Sequence, residues 1–241
     1  MKIAWLSEGG YTGKVPRQQT ANAGVLWAWM ANLEVDHFPI LNFEHAPTQG
    51  YEHLILQVPK TPEVRKELFD KDIVKEARRI AKNIIFFQEG PVWVYQDMPL
   101  EWQFWHYNVL ADVDLIFCEN STDIPYYKGF IPGKPVTNLP DLIIDDMIPH
   151  ARQTKKQNKS IIGGNFCRWY GGFDSYIIAQ EFDVPIFAPS MGRKIPNEDQ
   201  IPDLTHLPFM PWAEWMNKLA EFKYAIHLMQ TYAAGSFMMN C

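Results

Sequence analysis

The run Ser160-Ile161-Ile162-Gly163-Gly164-Asn165-Phe166-Cys167-Arg168-Trp169-Tyr170-Gly171-Gly172 decides how this chain is read. A short apolar stretch ends in paired glycines, passes an arginine and opens into residues 173–182, which carry a helical pattern. Strand, glycine turn and helix N-terminus make an anion site, because unpaired backbone N–H groups and the positive end of the helix dipole face one spot. Arg168 would add a planar, permanently charged fork there. Its plainer role would be an ion pair with Asp174. Beside paired glycines, the phosphate role is the expectation.

Working outward, strand patterns fall at residues 2–7, 35–41, 53–58, 83–87, 114–118 and 134–138, and again at 160–163, 184–188, 205–209 and 224–229. Helical patterns alternate with them. One runs to about residue 33, capped by Thr20 or Asn22. A long charged one covers 63–82, and another starts near Pro99 in a tryptophan-rich stretch. Further helices are expected over 173–182 and 211–222 and from 233. Such alternation predicts parallel sheets covered on both faces, with ligands beyond the carboxyl ends of the strands. The loops at 8–17, 88–91 and 119–123 lie at that edge.

Between residues 145 and 159 the apolar pattern stops, and Arg152, Lys155, Lys156 and Lys159 crowd a polar stretch. The expectation is a Rossmann-like domain over 1–150, a linker over 151–159 and a second α/β domain over 160–241. With few elements in its second half, the chain reads as one whose second domain is incomplete. A glycine turn at a strand edge in each half suggests a nucleotide in a cleft between them.

Composition narrows the function. Of 241 residues, 47% are hydrophobic and 21% charged, ordinary for a soluble globular chain. No apolar run approaches membrane-spanning length, and Met1-Lys2-Ile3-Ala4 leads straight into a strand, so neither a membrane segment nor a secretory signal is expected. Three cysteines without metal-ligand spacing point to a reducing cytoplasm. His106, His206 and His227 show no ligand spacing either, so neither a metal nor a tightly bound cofactor is expected. The net charge of −6 gives no global pull toward nucleic acid. A local basic rim from Lys14, Arg17, Arg152, Lys155, Lys156 and Lys159 is the one route to it.

At this point the residues resemble a known family. Met1-Lys2-Ile3-Ala4 with its glycine loop and Lys14-Val15-Pro16 looks like the start of the T-even phage DNA β-glucosyltransferases. Tyr51-Glu52-His53-Leu54-Ile55-Leu56 looks like their third strand, and Ile161-Ile162-Gly163-Gly164-Asn165-Phe166-Cys167-Arg168 is similar to their donor loop. The order of later elements is that of GT-B glycosyltransferases generally. The resemblance implies a GT-B fold of two Rossmann-like αβα domains and a nucleotide-sugar, UDP-linked, as co-substrate. It implies transfer of the sugar to a hydroxyl acceptor such as hydroxymethylated phage DNA, in the host cytoplasm. By position, Gly163, Gly164, Asn165 and Arg168 would hold the diphosphate, and the backbone of Phe209 and Met210 would face the base. Gly235 and Ser236 would approach phosphate or sugar, and Gly9 and Gly10 would close on the donor. The glutamate that usually bonds the ribose in this fold is matched by Asn240, which bonds without charge assistance.

Sugar transfer with inversion needs a base for the acceptor hydroxyl and compensation of charge on the departing diphosphate. Glu89, at the carboxyl end of the 83–87 strand and beside Trp93 and Tyr95, is the expected base; Glu8 and Asp97 are its rivals. Capping the Gly90-Pro91 turn is its alternative role. Lys14 and Arg17 are candidate acceptor or phosphate contacts. Trp93, Trp102, Trp105 and Tyr107 could stack on an acceptor, although the spacing of Trp102 and Trp105 suits core packing better. Two other functions stay open: a catalytically lapsed nucleotide-sugar-binding chain, and a Rossmann oxidoreductase or epimerase. The latter lacks its glycine spacing here.

Overall fold

β1 (Ile3–Ser7) is buried along its whole length, as a strand covered on both faces must be. The computed structural model describes the chain except residues 10, 18–24, 49, 59–61, 70, 97, 149–152, 164, 165, 167–169, 190–194, 230–236, 238 and 239. It separates into two compact units, Met1–Arg17 with Trp29–Pro140, and Gln18–Ala28 with Asp141–Cys241. The architecture is α/β.

After β1 come β2 (Gly13–Lys14), α1 (Val25–Asn32), β3 (Asp36–Pro39) and β4 (Tyr51–Leu56). They are followed by α2 (Pro62–Leu68), α3 (Ile73–Ala77), β5 (Ala81–Gln88) and α4 (Leu100–Asp112). β6 (Leu115–Cys118), α5 (Ile124–Phe130) and β7 (Val136–Asn138) complete the first unit. Its seven-stranded sheet has the order β2-β3-β1-β4-β5-β6-β7. Every pair is parallel except β2 with β3, so the sheet is mixed. Leu54, Leu56, Ile84, Phe86, Leu110 and Ile116 are fully buried in one core. Each such side chain contributes about 1.5–3 kcal/mol over leaving it exposed. The chain steps from β1 outward to β3, then returns to β4 on the opposite side of β1. That reversal opens a crevice beyond the carboxyl ends of β1 and β4.

The second unit holds β8 (Gln157–Ile162), α6 (Gly172–Gln180), β9 (Ile186–Ala188), β10 (Leu204–His206), α7 (Trp212–Leu219) and β11 (Phe222–Ile226). Its four strands are all parallel, in the order β10-β9-β8-β11. Here the reversal falls between β8 and β11. Successive side chains of β8 point to opposite faces. Ile162 packs with Tyr176, Ile186 and Ile226, whereas Ile161 packs with Leu207, Leu219 and Phe222.

Four expectations need correction. The helix over 63–82 is two short ones, because the Asp72 carboxylate accepts from the Lys75 N–H and starts α3 afresh. The strand at 35–41 stops at Pro39 and passes into a 3-10 turn, Ile40–His45. The all-parallel sheet gains β2, too short to show any apolar alternation. The linker expected over 151–159 is shortened, since β8 begins at Gln157; before it, Ile148 is buried with Trp212 and Met216. The units divide after Pro140. Lys159 lies inside, its Nζ 2.6 Å from the Glu221 carboxylate and over the Phe222 ring. Its apolar stem belongs to the core face and only its head finds a charge.

Candidate active site

Glu8 follows β1, Gln57 follows β4 and Glu89 follows β5, so the reversal of the first sheet gathers them at one edge. Buried Trp5 donates its indole N–H to Gln57 Oε1 at 3.2 Å, and Gln57 Nε2 donates to Glu89 Oε2 at 2.7 Å. This relay orients one carboxylate oxygen of a half-buried Glu89. In the neighbouring turn the Gly90 N–H donates to Glu119 Oε2 at 2.6 Å. Asn138 fastens the next strand exit, donating to the carbonyls of Cys118 and Glu119. Sequence reasoning found Glu89 but missed Gln57, whose only signal was its place one residue past an apolar strand.

A second missed pair stands behind the glycine loop. Ser7 Oγ lies 2.8 Å from His37 Nε2, and His37 Nδ1 lies 2.7 Å from the Tyr11 carbonyl. A ring N–H must donate to that carbonyl, which leaves Nε2 to accept from the Ser7 hydroxyl. The geometry is that of a serine–histidine pair, but both residues are buried and out of a substrate's reach. Its effect is to pin the loop to β1 and β3. Burial pushes the His37 pKa down, which keeps the ring neutral. Buried Arg65 adds a positive charge felt by Glu8, and its guanidinium lies 4.6 Å above the Tyr95 ring. Glu8 itself is exposed, and Asp97 lies outside the described residues.

Gly9 is exposed at φ 124°. Lys14 pairs with Glu34 at 3.6 Å on an open edge, an ion pair of little energetic weight. Arg17 is exposed and Trp93 half-buried. Trp105 packs on the core and Trp102 lies against Phe69, as helix-face spacing implied.

In the second unit Gly163, directly after β8, meets His227, directly after β11. Gly163 is buried, and a Cβ there would meet His227 Nδ1 at 2.3 Å and Phe237 Cδ1 at 2.4 Å. Only glycine lets the three close together. Both His227 ring nitrogens are shielded from water and lack a hydrogen-bond partner among the described residues. Gly171, the N-cap of α6, has φ 61°, and a Cβ would lie 1.5 Å from the Leu228 carbonyl oxygen. Ser175 Oγ donates to the Gly171 carbonyl and accepts from the Leu228 N–H, tying the first turn of α6 to the exit of β11.

Phe209 is 78% exposed after β10, whereas Met210 packs on the core. Asn240 Oδ1 accepts from the Trp212 indole at 3.4 Å. Gly10, Gly164, Asn165, Arg168, Gly235 and Ser236 lie outside the described residues. His227 was set aside for lacking metal-ligand spacing; its position at the end of an apolar strand was the better signal. Among the described residues no group of three or more His, Cys, Asp or Glu is placed to hold a metal ion. No described helix is long and apolar enough to cross a membrane.

Chemically, the first edge offers an oriented carboxylate that can accept a proton. The second offers a glycine turn, a helix start and an imidazole that can bond an oxygen-rich group. A scan of protein-family models finds no match to this chain, and a search of curated proteins finds no similar sequence.

Proposed function

We propose that this chain is a GT-B glycosyltransferase that moves a sugar from a nucleotide-sugar, UDP-linked, to a hydroxyl acceptor. The second unit binds the donor, and Glu89 of the first takes the acceptor proton. One observation carries the reading. Each sheet reverses its strand order where a loop bearing expected site residues leaves it: Glu8 follows β1 at the first reversal and Gly163 follows β8 at the second. Glu89, one strand further on after β5, is joined to the first reversal by its hydrogen bond from Gln57. Open α/β sheets bind ligands at such reversals.

The division of labour follows from the side chains. A diphosphate leaving group carries growing negative charge, which N–H groups at the start of α6 and its dipole are suited to receive. His227, on the same edge, can donate to a phosphate or sugar oxygen. Glu89, held by Gln57, accepts the proton from the attacking hydroxyl as the new C–O bond forms. The acceptor is left general. Lys159 is committed to Glu221 inside the second unit, which withdraws it from the basic rim expected for DNA.

The test is release of UDP from UDP-glucose or UDP-galactose, with hydroxymethylated DNA, simple sugars or water as acceptor. Turnover that depends on Glu89 supports the proposal. UDP binding without turnover under every acceptor would leave the lapsed, binding-only reading, which the engagement of Asn240 by Trp212 favours. Tight NAD(H) binding in place of UDP would overturn both.

A further inference from the structure

A cavity of about 40 Å³ opens in the first unit between the segment after β5, α4 and α5. Its lining includes Val92, Leu110 and Tyr127, all buried, and Tyr95 stacked on His106 with ring centroids 3.9 Å apart. His106 is 6% exposed, and its Nδ1 has no hydrogen-bond partner among the described residues. Tyr126 and Phe130, also lining the cavity, stack on each other at 5.3 Å and are each more than a third exposed. Among the described residues, neither Glu89 nor any other charged side chain lines it.

Buried polar atoms in folded proteins normally have a partner, so an orphaned imidazole nitrogen at a cavity marks a place for one. A volume of 40 Å³ holds roughly three waters, enough for the polar edge of a ring rather than a whole ring. The exposed Tyr126–Phe130 pair offers a face on which the rest of the ring can stack. Charge is disfavoured in both signs. Among the described residues the lining offers no charged side chain to pair with a ligand charge, so a charge of either sign would lose its water without a partner. We propose that this cavity is a binding site for a small uncharged aromatic molecule, whose polar edge bonds His106 and whose ring stacks on Tyr126 and Phe130. Burial, with Arg65 adding to it, holds the His106 pKa down to about 3, so the ring meets its ligand neutral. The site stands apart from the sugar-transfer reading and does not depend on it.

The probe is phenol, titrated into 15N-labelled protein at neutral pH. The expected result is saturable amide shifts centred on residues 92–96, 103–110 and 126–130, with Kd in the millimolar range, and binding of benzoate at least tenfold weaker. His106→Leu should weaken phenol about tenfold, the scale of one lost hydrogen bond to a neutral group. Tyr126→Ala, at the exposed mouth, should weaken it several-fold and serves if His106→Leu does not fold. Absence of saturable shifts at tens of millimolar, shifts centred elsewhere, or undiminished binding by folded Tyr126→Ala would each overturn the site.

Discussion

The two sheets reverse at different chemistry. Where the first turns back, Trp5, Gln57 and Glu89 form a relay of side-chain hydrogen bonds ending on a carboxylate. Where the second turns back, Gly163 and Gly171 allow approaches that a Cβ would block. The first edge is built to hold one charge in a fixed direction. The second is built to bring main chain and an imidazole close to something else. On the proposed function, the first edge would serve proton transfer and the second binding.

The contrast can be broken by substitution, beginning with the largest effect. Glu89→Gln should reduce turnover on the order of 10³-fold, about 4 kcal/mol of barrier, while UDP affinity stays within twofold in a titration. Loss of both would move Glu89 to the donor side or to the fold. Gly171→Ala should destabilise the second unit by roughly 3 kcal/mol, from positive φ and the clash with Leu228, as read by denaturant unfolding. A neutral result would mean that the start of α6 is not held as described. Gly163→Ala meets side chains rather than backbone, so it should cost less, about 1–3 kcal/mol, and weaken UDP binding as His227 is displaced. Gln57→Ala leaves the Glu89 carboxylate unguided, and about a tenfold loss in kcat with little change in KM is expected.

Acid should separate the units as well. His106 sits at about 3, and His37 below its usual 6.5, because burial penalises the charged ring. On unfolding both return toward 6.5, so below that pH the unfolded chain binds more protons and the first unit loses stability as pH falls. The slope reaches at most about 1.4 kcal/mol per pH unit for each histidine. In the second unit the hydrogen bond from Lys159 lowers the Glu221 pKa. Its contribution is present above the ordinary value of 4.5 and is lost as pH falls through the lower folded value. Hydrogen exchange corrected for intrinsic rates should therefore show β5 losing protection between pH 6.5 and 5 while β8 keeps it. Equal loss in both would contradict the assignment of neutral buried histidines.

Much of this was legible in the sequence, for physical reasons. Strands such as Ile3–Ser7, buried throughout, and Ala81–Gln88, with Ile84, Phe86 and Phe87 buried, announce themselves as apolar runs, and glycines at their exits mark backbone approaches. Three kinds of feature were not legible. Two-residue β2 carries no periodicity. The bonds Trp5–Gln57–Glu89 and Ser7–His37 join different strands, and spacing along a chain says nothing about neighbours across a sheet. Lys159 read as part of a basic surface because composition cannot show that its stem is buried and its head met by Glu221. The expected donor-side residues Arg168 and Ser236 lie outside the described residues, and the proposed donor side rests on Gly163 and His227.

The central claim is that the nucleotide binds the second unit and the base stands in the first. Its most direct test is NMR mapping of the 15N-labelled chain on titration with UDP. The account predicts shifts concentrated at Gly163, Gly172 and His227, lost in a folded His227→Ala or Gly163→Ala variant. Shifts concentrated at Glu8, Gln57 and Glu89, with Gly163 and His227 unmoved, would contradict it.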